Sequence, residues 1–178
     1  HTVTHEGGLR YEQNRREWKA IKPDGSLVEP GTAGTLKFNG SAAGNANETA
    51  ASVGNPILDT KRDKPSYTGG ETDAYYAYLY QPLESVAAAS GVTVPQLVKA
   101  LGLFPTDSNL NGDGLWVRNY GERLPFLGGS YWNGSGAGVF ALNINEPRSN
   151  VNSGRGFRSA LPSSQMPGPC GVRVSAGG

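Results

Sequence analysis

Residues 115–161 break into short apolar runs set between Gly, Asn and Ser turns: Leu115-Trp-Val117, Arg123-Leu-Pro-Phe-Leu127, Val139-Phe-Ala-Leu-Asn-Ile144 and Gly156-Phe-Arg-Ser-Ala-Leu161. Runs of this length bounded by turn residues are strand signals, and together they predict a small antiparallel core. The rest of the chain supports a loop-rich fold. Its 26 glycines and 12 prolines in 178 residues lie well above their usual combined share of about 12% but below the level at which disorder is the default. With 37% hydrophobic and 17% charged residues, the composition excludes a coiled coil and a highly charged disordered tail. No apolar run reaches the ~18 residues of a membrane-spanning helix, so no membrane insertion is expected. Sixteen Lys and Arg against fifteen Asp and Glu leave no electrostatic footprint for nucleic acid.

Ahead of the core, residues 1–70 are polar. Pro23-Asp-Gly-Ser26 is a turn signal that predicts a short strand pair, with Trp18 and Ile21 before it and Leu27 and Val28 after it. Arg15, Arg16 and Lys19 read as a solvated charge cluster, with an anion-binding patch as the alternative. From Gly31 to Gly70 only Leu36-Lys-Phe38 and Pro56-Ile-Leu58 supply apolar anchors, which predicts an arm with little core of its own that wraps a core or a neighbouring subunit. Asn39, Asn47 and Asn133 each head a glycosylation pattern, a pattern that arises readily by chance in an Asn- and Ser-rich chain.

Two short helices are expected. Ala74-Tyr-Tyr-Ala-Tyr-Leu-Tyr80, stopped by Pro82, reads as strand or helix start; Leu83 to Ser90 reads as a helix closed by Gly91. Thr93-Val-Pro-Gln96 has the capping-box spacing for a second helix, Val94 to Leu101, closed by Gly102. A helix-turn-helix reading fails for want of cations, since the second helix carries Lys99 alone. Asp107, Asn109, Asn111 and Asp113 stand at alternate positions around Gly112, the spacing with which a loop curls round calcium. The twelfth position is Arg118 where a bidentate acid is needed, so a polar turn leading into the strand at Leu115 is the favoured reading and no cofactor is expected.

Between the strand runs, aromatic and amide side chains are interleaved: Tyr131, Trp132, Asn133, Ser135, Asn143, Asn145, Glu146, Asn150, Asn152 and Ser153. Rigid aromatics give contact area at small entropy cost while Asn and Ser adapt their hydrogen bonds, a mixture suited to recognition. The alternative is that the asparagines serve only as turn formers.

Gly121-Glu-Arg-Leu-Pro-Phe-Leu-Gly-Gly-Ser130, Trp132-Asn-Gly-Ser135, Ala137-Gly-Val-Phe-Ala-Leu-Asn143, Arg148-Ser149 and Gly156-Phe-Arg158 together resemble the C-terminal domain of phage and prokaryotic variable proteins with a C-type-lectin fold. These are the major-tropism-determinant class and proteins diversified by retroelements, whose fold is shared with the formylglycine-generating-enzyme superfamily. The resemblance spans Gly121 to Leu161 and, more weakly, reaches back to Leu83. It departs from the family at Leu127, Tyr131 and Arg155, where Arg, Trp and an apolar residue are usual.

The resemblance implies an α+β C-type-lectin fold with short antiparallel strands and two short helices over residues 71–162. A loop-rich N-terminal arm for attachment or oligomerisation, residues 1–70, would precede it, and an irregular tail, residues 163–178, would follow. It also implies that Gly128, Gly129, Phe140, Leu142, Gly156, Phe157 and Arg158 are scaffold, and that Tyr131, Trp132, Asn133, Ser135, Gly136, Asn143, Asn145, Glu146, Asn150, Asn152 and Ser153 are displayed for ligand binding. The function so implied is that of a phage virion protein, a tail-fibre or spike tip. It would bind a host-surface receptor, protein or glycan, as a homo-oligomer, a trimer, joined to other virion proteins. The alternative is a structural or decoration protein of the capsid or tail.

Enzymatic function is not expected. The oxidase relatives need a cysteine pair and this chain has Cys170 alone, either an inert thiol or an intersubunit crosslink. His1 and His5 have no recognisable nucleophile turn to serve, and Glu122 with Glu146 make a carboxylate pair only on paper.

Overall fold

The structure is a computed structural model that describes residues 2–14, 17–39, 57–62, 72 and 76–153. Expectations resting on Arg15, Arg16, Asn47, Gly156–Leu161 and Cys170 therefore lie outside the described residues. The architecture is mixed α+β and mostly strand, organised as two sheets that close on one core.

The first sheet begins with β1 (Thr2–His5) and β2 (Gly8–Asn14), paired antiparallel with His5 opposite Gly8. The two residues between them, Glu6 at φ 49° and Gly7 at φ 72°, form the left-handed turn whose twist matches the flanking strands. β3 (Glu17–Ile21) and β4 (Leu27–Val28) make the hairpin expected around Pro23-Asp-Gly, with Ile21 opposite Leu27. Asp24 fastens the turn by accepting bonds from the Ser26 backbone (2.9 Å) and hydroxyl (2.6 Å), which holds its carboxyl below the usual range. β5 (Lys37–Asn39), β6 (Ile57–Asp59), β8 (Ala87–Ala88) and β10 (Glu122–Arg123) complete this sheet.

The second sheet holds β7 (Tyr78–Pro82), β9 (Gly114–Arg118), β11 (Phe126–Leu127) and β12 (Leu142–Ile144), in the order β11-β12-β9-β7. β12 runs parallel to β9, and β6 runs parallel to β8, so the expected all-antiparallel pairing holds for the other ladders only. The run Arg123–Leu127 is divided at Leu124-Pro125 between the two sheets. Val139 and Phe140 precede β12 in a turn closed by the Ala141 amide on the Gly138 carbonyl (3.2 Å).

Of the expected helices, Leu83 to Ser90 is replaced by a single 3-10 turn, Leu83–Ser85, and by β8. Val86 is extended and buried, and Ala87 and Ala88 pair with Ile57 and Leu58. Sheet pairing there overrides the helix propensity of an alanine run. The second helix, α1 (Gln96–Ala100), starts two residues later than expected because Pro95 is its extended N-cap at ψ 154°, with no side-chain cap from Thr93. A residue before proline is disfavoured in the helical region, which removes Val94 from the first turn. Closure at Gly102 is as expected: its amide reaches the Lys99 carbonyl at 3.0 Å.

Leu9, Ile21, Phe38 and Leu58 from the first sheet, and Leu36 just before β5, are buried in one cluster with Leu115, Val117, Leu142 and Ile144 from the second sheet and with Leu83, Val86, Val98, Leu103 and Leu110. Where little core was expected before Gly70, the described part of that segment supplies one wall of the shared core.

Candidate functional site

Strand residues alternate between the two faces of a sheet, so in the second sheet every other residue turns away from the core. Leu79, Leu115, Val117, Leu142 and Ile144 point inward and are buried. On the opposite face the register aligns Tyr80 with Trp116, Trp116 with Asn143 and Asn143 with Phe126. One row of side chains thus crosses all four strands: aromatic, aromatic, amide, aromatic. Tyr80 and Trp116 stack with ring centroids 5.1 Å apart and planes 28° apart.

Trp116 lies directly over Gly114, where a Cβ would fall 2.5 Å from the ring. Only glycine lets the indole fold flat there. Gly136 makes a similar contact with the Tyr80 hydroxyl, at 3.0 Å from where a Cβ would be.

A second layer rises beside the row. Ser130 begins the 3-10 turn Tyr131–Gly136 and donates its backbone N–H to Asn133 Oδ1 at 2.7 Å. Trp132 projects from this turn, half exposed, with Tyr131 edge-on to it at 4.5 Å and 84% exposed. Between the turn and the Leu124-Pro125 connection lies a groove of about 560 Å³ whose lining includes Trp116, Phe126, Trp132, Asn133, Asn143, Asn145, Glu146 and Asn152. Its volume falls within the ~300–1,000 Å³ typical of ligand sites, and its lining has their usual composition of aromatic surface with a few polar groups.

The polar end of the groove is tied down. Asn143 Oδ1 accepts the Asn145 N–H at 2.9 Å, and Glu146 takes bonds from the side-chain amides of Asn145 (3.4 Å) and Asn150. Arg123, buried behind it, donates from Nη1 to the Asn145 carbonyl at 3.1 Å and from Nε to the Tyr120 carbonyl at 2.7 Å. Desolvation, followed by the nearby Arg118 charge, lowers the Arg123 pKa, yet the group stays charged because its ordinary value is so high. The Leu124 amide bonds the Glu146 carbonyl at 3.1 Å, so the chain on each side of the groove is fastened to the other.

The chain matches no protein-family model and no curated protein.

Of the residues expected to be displayed, Trp132, Asn133, Asn143, Asn145, Glu146 and Asn152 come together in the groove. Tyr131 stands on its rim through Trp132, and Ser135, Asn150 and Ser153 are exposed nearby in sequence without lining it. Gly136 is buried instead of displayed, because Tyr80 and Trp116 cover it. Among the expected scaffold residues Leu142 is fully buried, and Gly129 abuts Ala137 so closely that a Cβ would lie 2.3 Å from its Cα. Phe140, by contrast, is 44% exposed. Its backbone N–H is held by the Asp113 carboxylate at 2.9 Å, which fixes it in the turn before β12 and not in the strand.

Tyr80, Trp116 and Phe126 are site residues that the interleaved aromatic and amide pattern did not single out. For Tyr80 and Trp116 the signal is the alternation Leu79-Tyr80-Gln81 and Leu115-Trp116-Val117, in which the middle residue faces outward between buried neighbours; Phe126, at the start of a two-residue strand, carries no such signal. What joins them into one row is strand register, which is nonlocal.

The loop with calcium-like spacing is braced by its own polar side chains. Asp107 and Asn109 accept the backbone N–H groups of Asn109 (3.0 Å) and Asn111 (3.2 Å), and the buried Asp113 carboxylate is committed to Phe140. Among the described residues no group of three or more His, Cys, Asp or Glu side chains is gathered as for a metal. Lys19, the described member of the basic cluster, is paired with Glu17 (2.8 Å) and Glu29. Asn39 donates its side-chain amide to Asp59 at 3.2 Å. Glu122 is ion-paired with Arg148 at 3.1 Å on the outside of the first sheet's edge strand.

Proposed function

We propose that this chain is a non-enzymatic receptor-binding protein of a phage virion, at the tip of a tail fibre or spike, and that the aromatic–amide groove is its contact surface. The observation that carries this reading is the convergence of Trp132, Asn133, Asn143, Asn145, Glu146 and Asn152 on one groove, these being positions at which the resemblance to phage variable proteins implies display. The C-type-lectin fold belongs to the same proposal; the two short-stranded sheets and the site-bearing segment after β9 are compatible with it. A shallow groove of this kind gives modest affinity per copy. Homo-oligomerisation, as a trimer, then multiplies it when several copies engage one cell.

The purified chain is incubated with a panel of bacterial strains and cell-bound protein is measured. Retention on at least one strain is expected, falling at least about tenfold for the Tyr131→Ala, Trp132→Ala double variant, as for truncation of aromatic interface anchors. Tyr131 is exposed, Trp132 is half exposed and neither belongs to the buried core, so the loss of stability stays at about 1 kcal/mol. Undiminished retention of the double variant would overturn the reading.

A further inference from the structure

We infer that the groove takes a neutral saccharide of at least disaccharide length, an assignment that rests on its being the receptor-binding surface proposed above. Three features define the ligand's chemistry. The first is the floor. Trp116 and Phe126 lie on strands separated by β12, so they stand about two strand spacings, roughly 10 Å, apart on one face. That is the span of two linked pyranose rings. Sugar C–H bonds, polarised by the neighbouring oxygens, suit the electron-rich face of an aromatic ring.

The second feature is the orientation of the amides. Asn133 Oδ1 accepts the Ser130 N–H, and Asn143 Oδ1 accepts the Asn145 N–H. A backbone N–H can be received only by the amide oxygen, so each side chain keeps its NH2 group as a donor at the groove. Two fixed donors beside an aromatic floor match the hydroxyl and ring oxygens that edge a sugar lying flat on it.

The third feature is charge. Glu146 is the one ionisable side chain among the described lining residues. An anionic ligand, such as a sialylated or phosphorylated glycan, meets that carboxylate and no cation among the described lining residues, Arg123 behind them being turned to the Tyr120 and Asn145 carbonyls. A cationic ligand suits the aromatic faces and the carboxylate, but an ammonium or guanidinium has no acceptor for the two NH2 donors. A neutral polyol satisfies the donors and the carboxylate acceptor together.

The test uses the full chain and defined probes: maltotriose and chitotriose as neutral saccharides, 3′-sialyllactose as an anionic one and tetralysine as a cationic one. Binding is followed by NMR through the indole N–H signals. At least one neutral trisaccharide is expected to shift the Trp116 and Trp132 signals saturably while leaving Trp18 unmoved, and to bind at least about tenfold more tightly than sialyllactose or tetralysine. Asn133→Asp and Asn143→Asp keep the oxygen that the backbone needs and replace the NH2 donor by oxygen. Each is expected to weaken the neutral saccharide at least fivefold with an unchanged melting temperature.

Equal binding by the Asp variants, or tighter binding of either charged probe, would overturn the assignment. So would failure of both neutral probes together with cell retention that survives periodate oxidation of the cell surface and is lost on protease treatment; the receptor reading would then stand with a protein ligand. Saccharide binding without retention on any strain would instead remove the receptor reading and leave the groove's ligand class in place.

Discussion

At Gly7 the geometry of a single turn decides whether two sheets can meet. Its φ of 72° is one that L side chains rarely adopt, and a Cβ there would fall 1.8 Å from Asn119 Oδ1 and 2.8 Å from the Phe38 carbonyl. Asn119 is itself buried and donates to that carbonyl at 2.6 Å. Gly7→Ala therefore combines backbone strain of about 1 kcal/mol with an overpacking cost of roughly 1–3 kcal/mol. Gly34 has nearly the same φ, 73°, with nothing within 4 Å of its added Cβ, so Gly34→Ala carries the first cost alone. Urea denaturation of the two variants is expected to show Gly7→Ala the less stable by at least about 1 kcal/mol; equal losses would show that Asn119 gives way freely. Neither the contact nor its cost was legible in the sequence, because Gly7 and Asn119 are brought together by folding. The Pro-Asp-Gly turn was legible, because Asp24 bonds Ser26 only two residues away.

Among the elements, β12 is the one on which the groove depends most. It is three residues long, lies between β9 and β11, and carries Asn143 outward with Leu142 and Ile144 inward. What sets its start is the turn Gly138–Ala141, clamped by Asp113 at the head of β9. A Cβ on Gly138 would come within 2.0 Å of that carboxylate, and the Phe140 N–H is bonded to it. Asp113→Ala removes a buried charged acceptor, an interaction of about 1.5–3 kcal/mol. The expected result is that loss in chemical denaturation, together with exchange broadening of the Asn143 side-chain amide signals in NMR. Loss of stability with sharp, unshifted Asn143 signals would mean that the clamp does not position the strand.

The local pattern located β9 and most of β12. It placed Val139 and Phe140 in the strand because apolar runs do not announce a tertiary clamp. It also missed the parallel pairing of β12 with β9, since nothing in three residues specifies a partner strand whose paired residues lie 27 positions earlier, Leu142 opposite Leu115.

For the whole molecule, the shared core means that the N-terminal segment and the site-bearing sheet fold as one body. β1 pairs with β10 through Thr4 and Arg123, and Leu9, Ile21, Leu36 and Phe38 close over the inner face of the second sheet. A chain beginning at residue 71 would lose those four large side chains. It is expected to retain little near-UV circular dichroism and to bind a hydrophobic dye, whereas sharp tertiary signals would show that residues 71–162 fold alone. Sequence reading separated these regions because apolar residues are sparse before Gly70; the few that are present prove to be core.

The row Tyr80, Trp116, Asn143 and Phe126 has an evolutionary consequence. Each of its first three members is flanked along its strand by residues buried on the other face, so selection on the two sets runs along separate channels. A lineage can exchange the outward residues to follow a changing target while the inward ones preserve the architecture. Were the row the receptor-binding surface proposed above, its specificity could change with little effect on the inward core, Gly114 and Gly136 being the positions where Trp116 and Tyr80 tie it to the scaffold.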